Sequence, residues 1–312
     1  MKFTKILAAV AVSAAFIAPA SAATMGMADL AITGLAILDA QGAPVTTGIT
    51  IRTETRTGTA ASSFNGIDAV GVGSGNIFST SIGGTVDVKY RCAGPSCGPA
   101  HAGANYAGGS YENDFTTHIA APTGNYSLSD MYIAGSALGF TGANGLTRAD
   151  SSTMGSTNAG SSNATIANSV TAITTFTTGS TMQARFALGY NAYIAAFVNV
   201  GAGIAGQAFG TISWSLSLQE VIGNVSTTIL NWTPDAINNG LASSDISQND
   251  SYTAIGAAFS DLVTLTGGRT YKLTINQASN SLASEVPEPG SMVLVALGLF
   301  ALGAASRRKA GK

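Results

Sequence analysis

The sequence predicts an all-β protein built as an antiparallel β-sandwich, with the jelly roll as its more specific form. Only 10% of the 312 residues are charged, and Ser and Thr make up about a fifth of the chain. Several short segments alternate apolar and polar residues, and Gly, Asn and Ser lie between them. This composition favours strands joined by tight turns over helices with charged faces.

The clearest strand is predicted over residues 211–221. Ile212, Trp214, Leu216 and Leu218 alternate there with serines, so the apolar side chains face one way and the hydroxyls the other. A period of two is that of a half-buried strand and not of a helix. Residues 49–57 and 85–90 also alternate. In a chain this rich in Ser and Thr, we expect the strands to carry these side chains on the solvent face.

The end of the body predicts a short helix and a hairpin. Thr233 and Pro234 resemble an N-cap and a first helical position, and the helix would end near Gly240. Residues 262–266 and 270–275 read as two strands joined by a Gly-Gly-Arg turn, which predicts a hairpin.

Residues 141–163 interrupt the strand pattern with a long run of Gly, Ser, Thr and Asn. Such a run is typical of a linker between two β units or of a large loop within one. We favour a loop, because the flanking halves share no repeat. The folded body is predicted as residues 23–285, between the two terminal segments that are described next.

The first 22 residues have the three parts of a secretory signal peptide. Lys2 and Lys5 precede an apolar run at 6–18, and small residues follow it. Ala20 and Ala22 fit a signal-peptidase site, with cleavage predicted after Ala22 and Ala23 as the near alternative.

The last 27 residues, 286–312, form a second three-part signal. It begins with Pro287, Glu288, Pro289 and Gly290. An apolar segment follows at 291–305, and the basic tail at 307–312 contains Arg307, Arg308 and Lys309. A helix over the apolar segment would be about 22 Å long, which is shorter than a bilayer core of about 30 Å. A short segment with a basic stop suits a transient anchor with the tail in the cytoplasm.

This C-terminal pattern closely resembles the PEP-CTERM sorting signal, which consists of Pro-Glu-Pro, a short apolar helix and an Arg-rich end. In that family the membrane protease-transpeptidase exosortase recognises and processes the signal. The resemblance implies a Gram-negative bacterium that makes exopolysaccharide, and delivery to the cell surface or extracellular matrix. It covers only about the last 25 residues, so it implies nothing about the body.

The terminal signals also hide the charge of the mature body. Six of the fourteen Lys and Arg lie in them, so a processed chain of roughly residues 23–288 has eight bases against sixteen acids and a net charge near −8. A body with so few bases disfavours nucleic acid as a partner, because phosphate binding needs clustered Lys and Arg.

The two cysteines, Cys92 and Cys97, are predicted to form a disulfide, since the chain is exported and a Gly-Pro turn separates them. The alternative is a metal site that adds His101 and His118, whose spacing matches zinc sites poorly. Asp245 and Asp250 could supply calcium ligands, but their spacing fits no EF-hand loop. We predict no metal and no cofactor.

No G-x-S-x-G or H-E-x-x-H motif occurs in the sequence. We therefore expect a non-enzymatic surface or matrix component associated with biofilm exopolysaccharide. The first alternative is a carbohydrate-binding jelly-roll module, with stacking platforms drawn from Tyr190, Tyr193, Trp214 and Trp232. The second is a secreted hydrolase, because a catalytic carboxylate pair need not be close in sequence.

Overall fold

A computed structural model describes residues 22–45, 47–69, 77–79, 85–97, 114–118, 121–139, 141–155, 159–173, 181–199, 204–244 and 248–287. Within these ranges the chain forms fifteen strands and one short 3₁₀ turn, Asp235–Ile237. The same ranges contain no helix with the length and hydropathy that crossing a membrane requires. The predicted signal peptide, apart from Ala22, and the apolar segment 291–305 lie outside the described residues.

The strands of the described ranges form two antiparallel sheets. The seven-stranded sheet contains β1 (Ala22–Asp39), β5 (Thr85–Ala93), β6 (Tyr126–Gly135), β7 (Ala143–Gly155), β9 (Met182–Asn199), β13 (Gln248–Phe259) and β14 (Val263–Leu265). The eight-stranded sheet contains β2 (Thr50–Phe64), β3 (Ile67–Ala69), β4 (Ile77–Ser79), β8 (Ala159–Ile173), β10 (Ile204–Ile222), β11 (Val225–Trp232), β12 (Asn239–Ser244) and β15 (Thr270–Pro287).

The strand order in the first sheet is β13-β9-β1-β7-β6-β5, with β14 beside β9. In the second it is β11-β10-β15-β8-β2-β3, with β12 beside β10 and β4 beside β2. The prediction of an all-β chain with antiparallel sheets is confirmed. The predicted helix is reduced to a 3₁₀ turn with Pro234 at its N-cap position and no side-chain cap.

The predicted alternation in β10 is confirmed. Ile212, Trp214, Leu216 and Leu218 are buried, whereas Ser213 on the opposite face is exposed. The buried residues belong to the main hydrophobic core, where side chains of β1 and β9 meet those of β10 and β15 across the two sheets. Removal of this apolar surface from water is the main force that holds the sheets together.

A second part of the interior is polar, and there the expectation of outward-facing Ser and Thr is wrong. Three pairs of buried hydroxyls are hydrogen-bonded, at 2.6–2.8 Å: Thr24 with Thr153, Thr147 with Ser279, and Ser151 with Ser281. The last two pairs join β7 of one sheet to β15 of the other. Buried hydroxyls are tolerated when each finds a partner. The facing sheet provides the partner in the last two pairs, and the neighbouring strand provides it for Thr24 and Thr153.

Glycines allow the two sheets to approach closely in this part of the interior. A Cβ atom at Gly26 of β1 would overlap the carbonyl oxygens of Phe209 and Leu282 in the other sheet. A Cβ atom at Gly210 of β10 would overlap the Met27 carbonyl oxygen. Any larger residue at these positions would push the sheets apart, so here glycine is required for packing.

The interpretation of residues 141–163 as a loop or linker is wrong. Most of this stretch lies in β7 and in the first part of β8. Strands that precede and follow it share both sheets: β1 pairs with β7 and β9, and β2 pairs with β8. Its Gly, Ser and Thr residues resemble a loop in sequence, but two of them, Thr147 and Ser151, make the buried hydrogen bonds to β15 of the facing sheet.

The predicted hairpin at 262–275 is also wrong, although both of its strands exist. β14 pairs with β9 in the seven-stranded sheet, and β15 pairs with β8 and β10 in the eight-stranded sheet. The chain thus passes from one sheet to the other at Gly267 and Gly268. The two strands contact each other through side chains and not through a backbone ladder. The side chains concerned belong to the main core: Val263, Leu265 and Tyr271.

Candidate functional site

The candidate site begins at the end of β15, a central strand of the eight-stranded sheet. β8 and β10 flank β15, and the ladder with β8 ends at Ser284, which lies opposite Ala159. Glu285, Val286 and Pro287 continue the ladder with β10. Pairing with β10 therefore extends to the last residue of β15.

Pro287 is both the first residue of the Pro-Glu-Pro pattern and the last residue of β15. Its partner across the ladder is Ile204, the first residue of β10. Proline has no backbone N–H and cannot donate to a ladder, so it suits the end of a strand. Glu285, two residues earlier, is only 4% exposed and belongs to the packed body.

Three residues separate Pro287 from the apolar segment that begins at Ser291. Covalent geometry limits the Cα distance from Pro287 to Ser291 to about 14 Å. A membrane-embedded segment at 291–305 would therefore keep the folded body within this distance of the bilayer. Glu288, Pro289, Gly290, Arg307, Arg308 and Lys309 lie outside the described residues.

A family model of the PEP-CTERM protein-sorting motif matches residues 285–309. The chain carries a PEP-CTERM sorting motif. The match begins one residue before the predicted segment 286–312, at the buried Glu285. The PEP-CTERM motif indicates an exported protein that exosortase processes and that is delivered to the cell surface or the outside of the cell.

No curated protein matches the sequence. Among solved structures, a chain from the structure of the infectious bursal disease virus Gx strain aligns over 93% of this chain and 87% of its own length. The identity is 9% and the TM-score 0.09, so this alignment supports no conclusion about fold or function.

At the other end of the body, the predicted signal-peptidase site is only partly described. Ala20 lies outside the described residues, and Ala22 is the first residue of β1. Ala23 already pairs with Met154 of β7 and Asn199 of β9. Cleavage after Ala22, which stays a prediction, would leave the strand complete from Ala23 onward.

Cys92 and Cys97 are joined by a disulfide with a Cα–Cα distance of 5.8 Å. The bond leaves neither sulfur as a thiolate, so the zinc alternative loses its two sulfur donors. His101 and Asp245 lie outside the described residues. Among the described residues, no group of three or more His, Cys, Asp or Glu side chains is placed to hold a metal ion.

The four aromatic residues proposed as stacking platforms are packed against other parts of the body. Trp214 is 1% exposed and contacts Trp232 edge-to-face, with ring centroids 5.1 Å apart. Tyr190 and Trp232 pack against the main core. The Tyr193 ring stacks on His118, with centroids 3.8 Å apart.

The sequence did not reveal a cluster of charged side chains on the outer face of the seven-stranded sheet. Asp29 of β1 lies directly opposite Arg148 of β7. Arg148 donates from Nε to Asp150 Oδ2 at 2.9 Å, and its Nη2 lies 2.8 Å from the same oxygen. All three residues are at most 2% exposed.

Residues 114–118, which we call the strap, cover this cluster. Arg148 Nη1 donates to the Asp114 carbonyl oxygen at 2.8 Å, and Phe115 is buried. His118 Nε2 lies 3.7 Å from Asp29 Oδ2. The strap is therefore fixed at its first residue by an arginine and at its last by a carboxylate and a stacked tyrosine.

Burial and hydrogen bonding shift the pKa values of two carboxylic acids here, Asp29 in the cluster and Asp114 in the strap. Burial raises the pKa of Asp29 from 3.8 to about 6, and the interactions with His118 and Arg148 offset part of that rise. The pKa of Asp114 is lowered to about 2, because its carboxylate accepts hydrogen bonds from Thr116 and Thr117, which outweigh its slight burial. The sequence contained a signal for this cluster, because Arg148 and Asp150 are two residues apart and lie on the same face of a strand. The signal was missed because residues 141–163 were interpreted as a loop.

Proposed function

We propose that this chain is a non-enzymatic structural component of the cell surface or extracellular matrix, associated with exopolysaccharide and released there by exosortase. The observation that carries the proposal is the PEP-CTERM motif at residues 285–309, which continues the central strand β15. The motif supports export and sorting, and the structural role of the body is our inference.

The proposed route begins with an N-terminal signal peptide that signal peptidase removes after Ala22. The apolar segment 291–305 then holds the chain in the membrane, and Arg307, Arg308 and Lys309 stop its transfer. Exosortase cuts beside Pro287-Glu288-Pro289 and frees the body. The membrane is thus a partner only until this cut.

The position of β15 supports a cut at or after Pro287. The buried side chains of the strand that the structure describes, from Tyr271 to Glu285, lie before this point. A cut there leaves the ladders with β8 and β10 complete. A processed body of this kind keeps its fold, which a permanent matrix component requires.

The two alternatives gain no specific support from the described residues. A carbohydrate-binding jelly-roll module would need exposed aromatic faces, but Trp214 is buried and Tyr193 is covered by His118. A hydrolase would need a catalytic pair in an open cleft, and the Asp29 cluster lies beneath the strap.

The proposal is tested by comparing host cells with and without exosortase. We expect the full-length chain in the membrane fraction of the deletion strain. In the parent strain we expect a shorter chain outside the cells, with a C-terminus near Pro289 by mass spectrometry. The variant Glu288→Ala should accumulate unprocessed. The matched control is Glu220→Ala, which also loses one carboxylate but within the body, and it should be processed normally.

If the chain is full-length and lies in the same cell fraction in both strains, the sorting part of the proposal is refuted. Exopolysaccharide association is tested separately, by sedimenting the processed protein with polymer purified from the same host. If the processed protein stays in the supernatant at all polymer concentrations, the matrix role is wrong even though sorting is right.

A further inference from the structure

Strand β13 forms one edge of the seven-stranded sheet. Its ladder with β9 runs from Gln248 opposite Val198 to Phe259 opposite Ala187, without a register shift. Among the described strands, none pairs with its other side. β13 is twelve residues long, and the backbone N–H and C=O groups of every second residue point away from β9 to a side where no other described strand lies.

This edge lacks the features that normally prevent strand addition. Natural edge strands are protected by Lys, Pro, inward charges, bulges or short length. Residues 251–259 of β13 contain no charged residue and no proline. Ile255 is 74% exposed and Phe259 55% exposed, so apolar side chains also flank the free edge.

The opposite edge of the same sheet is charged and irregular. β5 contains Asp87, Lys89 and Arg91, and its ladder with β6 shifts register between Val88 and Arg91. β11, at an edge of the other sheet, has eight residues and a register shift against β10. Among the described edges, β13 alone is long, regular and uncharged over nine consecutive residues.

We propose that two copies of this chain associate through β13, with the two strands antiparallel and related by a two-fold axis at Ile255. An isologous pair of this kind needs no second surface, because one edge is complementary to itself. The two seven-stranded sheets then become one continuous sheet. This self-association goes beyond the proposed function and does not depend on sorting.

The charges flanking the segment favour the antiparallel arrangement. With Ile255 opposite its own copy, Ser251 lies opposite Phe259, so Asp250 and Asp261 fall outside the paired segment. In a parallel, in-register pair each Asp250 would face the other Asp250, and like charges directly opposite each other are destabilising. The acidic body also predicts stronger association at higher salt, because salt screens repulsion between the two copies.

The first test measures the mass of the full chain in mild detergent by analytical ultracentrifugation. We expect a dimer of the 31.2 kDa chain. Ile255→Lys places two lysines opposite each other and should weaken dimerisation by at least about tenfold. The matched control is Ile67→Lys, because Ile67 is 73% exposed on β3 of the other sheet. Both variants should melt as the parent does.

The second test fixes the orientation of the strands by cross-linking. The two native cysteines are bonded to each other, so a single introduced cysteine reports one contact. Ile255→Cys should form an intermolecular disulfide under mild oxidation, and Ser251→Cys and Ile67→Cys should not. Cross-linking of both Ile255→Cys and Ser251→Cys would overturn the two-fold arrangement, and a monomer at all concentrations would overturn the proposal.

Discussion

At the scale of single residues, Asp29 is the least expected feature of the body. It begins an apolar run in the sequence, yet it lies beneath the strap, opposite Arg148 and within 3.7 Å of His118. A buried carboxylate is retained more easily when it is protonated or paired. The cluster therefore couples the stability of the body to pH.

We predict that Asp29→Asn changes the pH dependence of folding. The folded pKa of Asp29 is about 6 and the ordinary value is 3.8, so the folded state binds the extra proton between these values. The contribution of Asp29 to the free energy of unfolding therefore falls as pH rises from 4 to 6. This loss is on the order of 3 kcal/mol, and the variant should lack it.

Urea unfolding of parent and variant at pH 4 and pH 7 measures this difference. Asp114→Asn is the control. The pKa of Asp114 is lowered to about 2, so the pH dependence that Asp114 contributes to the free energy of unfolding lies below pH 4. If Asp29→Asn and the parent lose stability equally between pH 4 and pH 7, the carboxylate does not titrate in this window.

At the scale of elements, β7 and β15 show how a strand rich in small polar residues can be internal. Gln277 Nε2 donates to Thr147 Oγ1 at 3.0 Å, and Thr147 Oγ1 lies 2.8 Å from Ser279 Oγ. Ser279 Oγ in turn donates to the Thr147 carbonyl oxygen at 3.1 Å. This chain of hydrogen bonds fixes the position of one sheet on the other.

We predict that Thr147→Val and Ser279→Ala are coupled. Each single substitution removes the hydrogen bond between the two hydroxyls and leaves part of the hydrogen-bonding capacity of the remaining buried hydroxyl unused, so it should lower the free energy of unfolding by about 1–3 kcal/mol. The double variant should cost less than the sum, by about 1 kcal/mol, since both partners are then gone. Pairing Thr147→Val with Ser213→Ala, on the exposed face of β10, should give an additive result. The free energies of unfolding are measured by urea unfolding. If the changes are additive in both double variants, Thr147 and Ser279 are not coupled.

At the scale of the whole molecule, early and late strands are interleaved. β1 lies between β7 and β9, and β15, the last strand, lies between β8 and β10. The body can therefore complete its second sheet only after β15 has been synthesised and exported. Because β15 continues into the PEP-CTERM motif, the strand that leads into the sorting signal is also a central part of the fold.

We predict that the body tolerates removal of residues 290–312 but not of the end of β15. A chain that ends after Pro289 should have the same free energy of unfolding as the processed protein from the host. A chain that ends after Ser281 loses the ladder positions of residues 282–287 and should be less stable by roughly 3 kcal/mol, at 0.5–1.5 kcal/mol for each lost hydrogen bond. Equal urea midpoints for the two truncated chains would show that this segment adds nothing to the fold.

The sequence alone determined the sorting motif, because short linear signals such as Pro287-Glu288-Pro289 do not depend on a fold. It also determined β10, since the alternation of Ile212, Trp214 and Leu216 with serines is a local pattern. Only the tertiary structure decided that residues 141–163 are mostly strand and that Thr147 and Ser151 face inward. The physical reason is that a hydroxyl can be buried only when it has a hydrogen-bond partner, and those partners lie about 130 residues away, in β15.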